Sequence, residues 1–538
     1  MAINNSLSEK SSRKYTLSLI VYITIFLIIS LLVIKYLPLK NSNNTQQNTE
    51  KSNICYIGNI NDKIKEIVEE YSSNNNYKID DKDCNITIAR NIKDPNDYTK
   101  LFTNTYVLVQ KYDGILENIS SENILTILNT QKYNGYKVYW NNETDIFLKS
   151  RFDIGVGQQI LNSNEIEKLV KEDNNSIAII PINELNINYS VIDIDFQSPL
   201  SKEYNHNKYP LQDMYWIKGD KNGIKNISEY MLQKYIDINI DRNNLTSIIL
   251  TGSSSIGAGE LYRVTNNKNI KEILIGISNT LSQTDIVHIN NEISYTENCI
   301  QSDISKNLCA VPSLINKEIF NELNIKVIGI NGNHILDQGE GAFIKTLNKY
   351  KSSDIKYFGG GENTNDKNIT QTININSNNI SFYGYSYIYP FSYTLTDKKA
   401  GNHTAKIEDI KNTLSGNNNT INILDMSWGY EEKNELVDYQ IEYTKELLKT
   451  NTDIIIGTNS LIPQKFEIID NKLVGYNLGS FLPYNIQYIK DIGSVIVKVY
   501  IYQNRIISTD IIYIIMNDNN IIQLADDSQK DTIRKYIK

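Results

Sequence analysis

Apolar positions along this chain recur with two periods, and the alternation between them outlines the folded body. Residues 63–73 (KIKEIVEEYSS) repeat at the helical spacing of 3.6, whereas 105–110 (TYVLVQ), 137–140 (KVYW) and 176–181 (SIAIIP) are short β-branched runs suited to strands. Past residue 246 the same alternation resumes. Strand-like 247–252, 285–290 and 326–331 are separated by helical 269–281, 314–324 and 339–351. There follow strand-like 379–388, 420–426 and 453–458, with a helix predicted over 436–450, and then two long strands at 494–502 and 506–515. Helices between strands predict layered α/β architecture throughout.

Residues 16–34 break this pattern, because they are uncharged and apolar all round. About 19 residues at roughly 1.5 Å each reach across a hydrocarbon core near 30 Å thick, so the run predicts a transmembrane signal anchor. Lys10, Arg13 and Lys14 would keep residues 1–15 cytoplasmic, which places the body outside a single-pass cell membrane. Residues 35–53 read as a polar linker. The remaining boundaries fall at a first domain over 54–240, a second over 246–516 and a polar tail over 517–538.

Composition narrows the choice of function. The chain has 538 residues, 40% hydrophobic and 22% charged, which fits a folded protein and excludes wholesale disorder. A net charge of −8 excludes a broad basic face for nucleic acid. Four cysteines, Cys55, Cys84, Cys299 and Cys309, permit three pairings in an oxidising compartment. Pairing within each proposed domain joins Cys55 to Cys84 and Cys299 to Cys309.

In the first domain, the ordered segments at 120–140, 149–161, 175–186 and 208–219 resemble landmarks of periplasmic phosphate-binding-type solute receptors. That resemblance implies an arginine followed by a Gly-Ser-Gly-Thr phosphate loop at a helix start. Here the loop reads Gly155-Val156-Gly157-Gln158, without hydroxyls. A small-anion solute-binding module is therefore one functional alternative, and a spacer or docking module of the same fold is another.

The second domain carries the more specific sequence. Asn331-Gly332-Asn333-His334-Ile335-Leu336-Asp337-Gln338-Gly339 is preceded by a helix-and-strand lead-in at 309–330. Asn290-Asn291-Glu292, Trp428-Gly429 with Gln440, Gln464 and the run YNLGSF at 476–481 stand around it. These elements, in this order, resemble the capsule-synthesis family of poly-γ-glutamate production. The resemblance implies a four-layer α/β/β/α fold of the calcineurin-like metallophosphatase type over about 246–515. It also implies two metal ions held by acids, amides and imidazoles on strand-end loops.

Carried over position by position, the resemblance leaves Glu292 and Asn333 as metal ligands, with His334 and Asp337 as catalytic groups. The acid expected after Gly252 is Ser253, and the histidine expected before Trp428 is Ser427. The paired histidines expected after Gly457 are Asn459 and Leu461. Only four histidines occur in the chain, and of these only His334 lies on a motif; His288 reads as structural, and His206 and His403 fall in polar loops. Serine and leucine are poor ligands for a divalent ion, so no cofactor is expected unless Glu292, Asn333, His334 and Asp337 hold one divalent metal.

The expectation is a membrane-anchored capsule-synthesis-type protein at the bacterial cell surface. It would bind or help assemble a surface polymer, with that polymer or its assembly machinery as partner, no nucleic acid, and no turnover. A metal-dependent hydrolase or transferase acting on the polymer is the alternative.

Overall fold

Short isoleucine-rich runs whose two faces are both covered make the strands of three main sheets, of ten, nine and six strands. The computed structural model describes residues 52–153, 160–235, 239–264, 269–299, 308–314, 316–366, 370–387, 393–416 and 419–538. From Ser52 to Lys538 the chain is one compact unit.

The ten-stranded sheet opens on Ser52–Ile57, paired in parallel with Tyr77–Ile79 and Cys84–Arg90. The antiparallel strands Gln212–Gly219 and Thr99–Lys111 lie at its middle, and Ser176–Pro181 and Tyr136–Trp140 follow. Helices Asp62–Asn74 and Lys221–Tyr235 cover one end, burying Ile64, Val68, Ile227 and Met231 against Ile54, Ile86 and Ile217. Cys55 is bonded to Cys84 across neighbouring strands, and Cys299 to Cys309.

The nine-stranded sheet runs Lys356–Phe358, Ile325–Gly329, Ile286–Asn291, Leu245–Leu250, Ser494–Tyr502, Arg505–Met516 and Ile522–Leu524, with Ser253–Ser254 and Ser480–Leu482 at its upper edge. The six-stranded sheet runs Thr370–Ile375, Asn378–Ser386, Ile421–Trp428, Ile454–Asn459, Lys472–Gly475 and Phe466–Ile469. Period-two alternation lays the two face to face. Ile248, Leu250, Ile286 and Val327 of one pack against Ile380, Phe382, Ile423 and Ile456 of the other. Helices Lys317–Glu322 and Glu340–Ser352 cover the outer face of the first, and Ile407–Leu414 and Asp438–Leu447 that of the second.

Hydrogen bonds join the region of the ten-stranded sheet to this sandwich. Tyr112 Oη donates to the Phe466 carbonyl (3.2 Å), Tyr513 Oη to that of Asp113 (2.9 Å) and Ser508 Oγ to that of Tyr189 (2.9 Å).

Three expectations change. Among the described residues no helix is long and apolar enough to cross a membrane. A 15-residue helix such as Lys221–Tyr235 spans only about 22 Å. The proposed anchor at 16–34 lies outside the described residues. The described residues thus form a mixed α/β fold with no membrane-spanning helix among them, and the expected N-terminal transmembrane helix and single-pass membrane placement are not supported by it. The helix predicted over 269–281 is two short pieces, Ile270–Ile273 and Ser278–Ser282. Gly276 lies between them, where a Cβ would sit 2.5 Å from the Ile522 carbonyl oxygen, so backbone contact with the sheet edge interrupts the helix. The polar tail is structured: helix Asp527–Arg534 follows the last strand, and Ile533 and Ile537, one turn apart, enter the inter-sheet core.

Candidate functional site

Parallel strands aim their carboxyl ends at one rim of the sandwich, and there the inter-sheet layer turns from apolar to polar. Two residues beyond Ile286 on the same face stands His288, then Asn290; beyond Ile421 and Ile423 stand Asp425 and Ser427; beyond Ile454 and Ile456 stands Thr458. Asp425 organises this layer. Its Oδ2 accepts from Asn290 Nδ2 (3.0 Å), its Oδ1 from Asn331 Nδ2 (3.1 Å) and Thr458 Oγ1 (3.3 Å), and His288 Nε2 lies 3.4 Å away. Gly329 belongs to the same packing, since a Cβ there would meet Asp425 Oδ2 at 3.0 Å. His288 is thus an interior residue, as its position within a strand suggested.

Above the layer lie the predicted site residues. Gly332 lets the 331–334 loop press on Glu292, because a Cβ at 332 would fall 2.2 Å from the Cβ of Glu292, and His334 bridges Ile293 as a strand partner. Glu292 is 3% exposed, and Ser255 Oγ donates to its Oε1 (2.5 Å). Burial pushes the Glu292 carboxyl up to about 7, with Glu431 and Asp337 adding to the effect and His334 and Ser255 opposing it. Burial works against a charge on His334. The Asp337 hydrogen bond to Nδ1 (2.9 Å) and the carboxyls of Glu292 and Glu431 outweigh it and hold the imidazole pKa above its ordinary value. Asp337 is fixed in turn by the Leu308 amide (2.9 Å) and Tyr393 Oη (3.1 Å). His334 Nε2 is buried without a hydrogen-bond partner.

Of the four predicted residues, Glu292, His334 and Asp337 form one electrostatic group. Asn333 is half-buried on the same loop. Sequence reasoning missed Glu431, Tyr484 and Tyr393. Tyr484 donates to Glu431 and sets its ring edge-on to His334 at 5.8 Å. Burial, with Glu431 beside it, keeps the Tyr484 phenol protonated far above the ordinary range. The available signal was proximity in sequence: Glu431 follows Trp428-Gly429 by two residues, and Tyr484 follows YNLGSF by three. At the rim, Tyr387 and Tyr430 are 41% and 60% exposed, and Tyr387 stacks on Tyr439 at 4.0 Å.

The residues present do not fit a two-metal centre. Ser253 Oγ is fully buried and accepts the Asn459 amide (2.8 Å), so it is bound into the scaffold. Leu461 is 1% exposed and apolar. Asn459 Nδ2 donates to the Gly429 carbonyl (3.2 Å). What remains is acid–base and hydrogen-bonding chemistry: a glutamic acid that exchanges its proton near neutrality, beside an imidazole backed by a carboxylate.

Residues 247–485 match the family described as Bacterial capsule synthesis protein PGA_cap. The chain is 25% identical over 171 residues to the Capsule biosynthesis protein CapA of Bacillus anthracis, a match covering 30% of this chain and 41% of that relative's length. Two solved structures also align. One is an ABC-type phosphate transport receptor from Vibrio cholerae (12% identity, 34% of this chain and 98% of that one, TM-score 0.27). The other is a putative phosphate ABC transporter substrate-binding protein from Clostridium perfringens (12% identity, 34% and 92%, TM-score 0.22). Scores this low do not establish a shared fold, so the receptor-like reading of the first region stays an expectation. The rim that gathers Glu292, His334 and Asp337 lies inside the span of the family match, and the two sequence comparisons together support a place for residues 247–485 in the bacterial capsule-synthesis family.

Proposed function

We propose that the chain serves capsule production by binding a surface polymer, or by docking the machinery that assembles it, without phosphoester turnover. The observation that carries this reading is the fate of the ligand positions. The Asn459 amide donates to Ser253 Oγ, and Leu461 fills the interior. Glu292, His334, Glu431 and Tyr484 then offer donors and acceptors at the rim, and the exposed faces of Tyr387 and Tyr430 beside them suit a long polymer.

The test incubates the purified chain with Mn and Zn salts, measures bound metal, and follows hydrolysis of bis(p-nitrophenyl) phosphate. The expected result is substoichiometric metal and no hydrolysis above buffer. Two tightly bound ions with turnover that disappears in Glu292→Ala would overturn it. A second reading, hydrolysis or transfer on the polymer itself, takes its support from the unpartnered Nε2 of His334 beside a protonatable Glu292. Shortening of purified capsular polymer by the chain would favour that reading. The small-anion reading rests on Gly155-Val156-Gly157-Gln158, which lie outside the described residues.

A further inference from the structure

A polar cavity of about 230 Å³ lies away from the rim, at the seam between the two regions. One water needs roughly 10–15 Å³ by such a measure, so the space admits a small organic molecule. It lies between strand Tyr189–Ile194 of the first region and the hairpin of Ser494–Tyr502 with Arg505–Met516. Asp193, Asp510 and Lys498 line it, all half-buried. Lys498 and Asp510 are direct cross-strand partners, a position from which opposite charges normally pair. Among the described residues no ion pair joins Lys498 to Asp510 or Asp193; the ammonium instead lies over the Tyr500 ring at 5.1 Å. Asp510 Oδ1 is buried with no hydrogen-bond partner. The other nearby charges are already matched: Lys530 with Glu117 (2.6 Å) and Lys202 with Asp285 (3.0 Å).

Charged groups that line a cavity without pairing are costly to bury unless they neutralise or a polar occupant lies among them, and burial pushes Lys498, Asp193 and Asp510 each toward its neutral form. We infer that this cavity binds a small zwitterion of the α-amino-acid class, its carboxylate on Lys498 and its ammonium on Asp193 and Asp510. A lone anion would face two carboxyls, and a lone cation would face the lysine. A ligand carrying both signs complements all three groups at once. The inference is independent of the rim site and of its proposed role.

The experiment titrates the full chain calorimetrically with glycine, L-alanine, L-serine and L-glutamate, and with ethylamine and propionate as single-charge controls. Saturable binding of at least one amino acid, at least tenfold tighter than either control, is expected. Lys498→Met and Asp510→Asn should each weaken it tenfold or more. Affinity should fall as pH drops through 7 to 6, because burial raises Asp193 to about 7 and Asp510 to about 6, and a protonated carboxyl cannot neutralise the ligand's ammonium. Absence of heat with all four amino acids, or equal binding of a single-charge control, overturns the proposal. Both outcomes are read on the unmodified chain, so they stand even if a variant fails to fold.

Discussion

Replacing Glu292 by glutamine tests whether a buried ionisable acid is built into the rim at a cost to folding. The unfolded carboxyl titrates near 4.5 and the folded one near 7. Below 4.5 both states carry the proton and the group has no effect on stability. As pH rises from 4.5 to 7 the unfolded chain releases the proton first, so folding loses stability, and the loss levels off above 7. That interval, at roughly 1.4 kcal/mol per pH unit, amounts to about 3 kcal/mol. Glutamine keeps the Oε1 that Ser255 donates to and removes the charge. Glu292→Gln should therefore be close to neutral at pH 4.5 and stabilising by about 3 kcal/mol at pH 8, read from urea unfolding curves at a series of pH values. A variant that is destabilised at pH 8, or whose difference from the parent does not change with pH, would refute the reasoning. A carboxyl retained against such a cost is the pattern expected of a functional group.

The disulfides differ in the loops they close. Removing Cys299–Cys309, ten residues apart, should cost about 3 kcal/mol, and removing Cys55–Cys84, 29 apart, about 1 kcal/mol more, read as unfolding midpoints of the double-serine variants. Gly457→Ala should fold poorly, with a loss of roughly 3 kcal/mol, because its Cβ would lie 1.7 Å from the Tyr476 carbonyl oxygen and 2.5 Å from Trp428 Nε1; an unchanged melting temperature would contradict the packing described. Asp425→Ala removes a carboxylate acceptor from each of Asn290, Asn331 and Thr458, leaving the two amides only their bonds to Asn331 Oδ1 and to the backbone carbonyls of Tyr385 and residue 425, so its urea midpoint should fall by the equivalent of about 3 kcal/mol.

Much of the sandwich was legible in sequence because its strands are short Ile-rich runs with fixed in-out spacing. The runs at 285–290, 326–331 and 453–458 appear as Ile286–Asn291, Ile325–Gly329 and Ile454–Asn459. Interruptions were not legible, since a helical period across 269–281 carries no record of the Ile522 carbonyl that presses on Gly276. The site was readable where its groups are close along the chain, as with His334 and Asp337. Glu431, Tyr484 and Tyr393 come from separate loops, and only the closing of the two sheets brings Glu431 to Tyr484 and Tyr393 to Asp337. The polar inter-sheet layer around Asp425 escaped for a related reason: an aspartate inside the run TINILDM has the spacing of a core residue, and its partners Asn290 and Asn331 lie on two other segments.

The capsule role is tested most directly by the amount of cell-associated capsular polymer in cells lacking this chain, with and without a plasmid copy. Polymer should fall on deletion and return with the plasmid copy. Polymer unchanged in amount and length after deletion would contradict it.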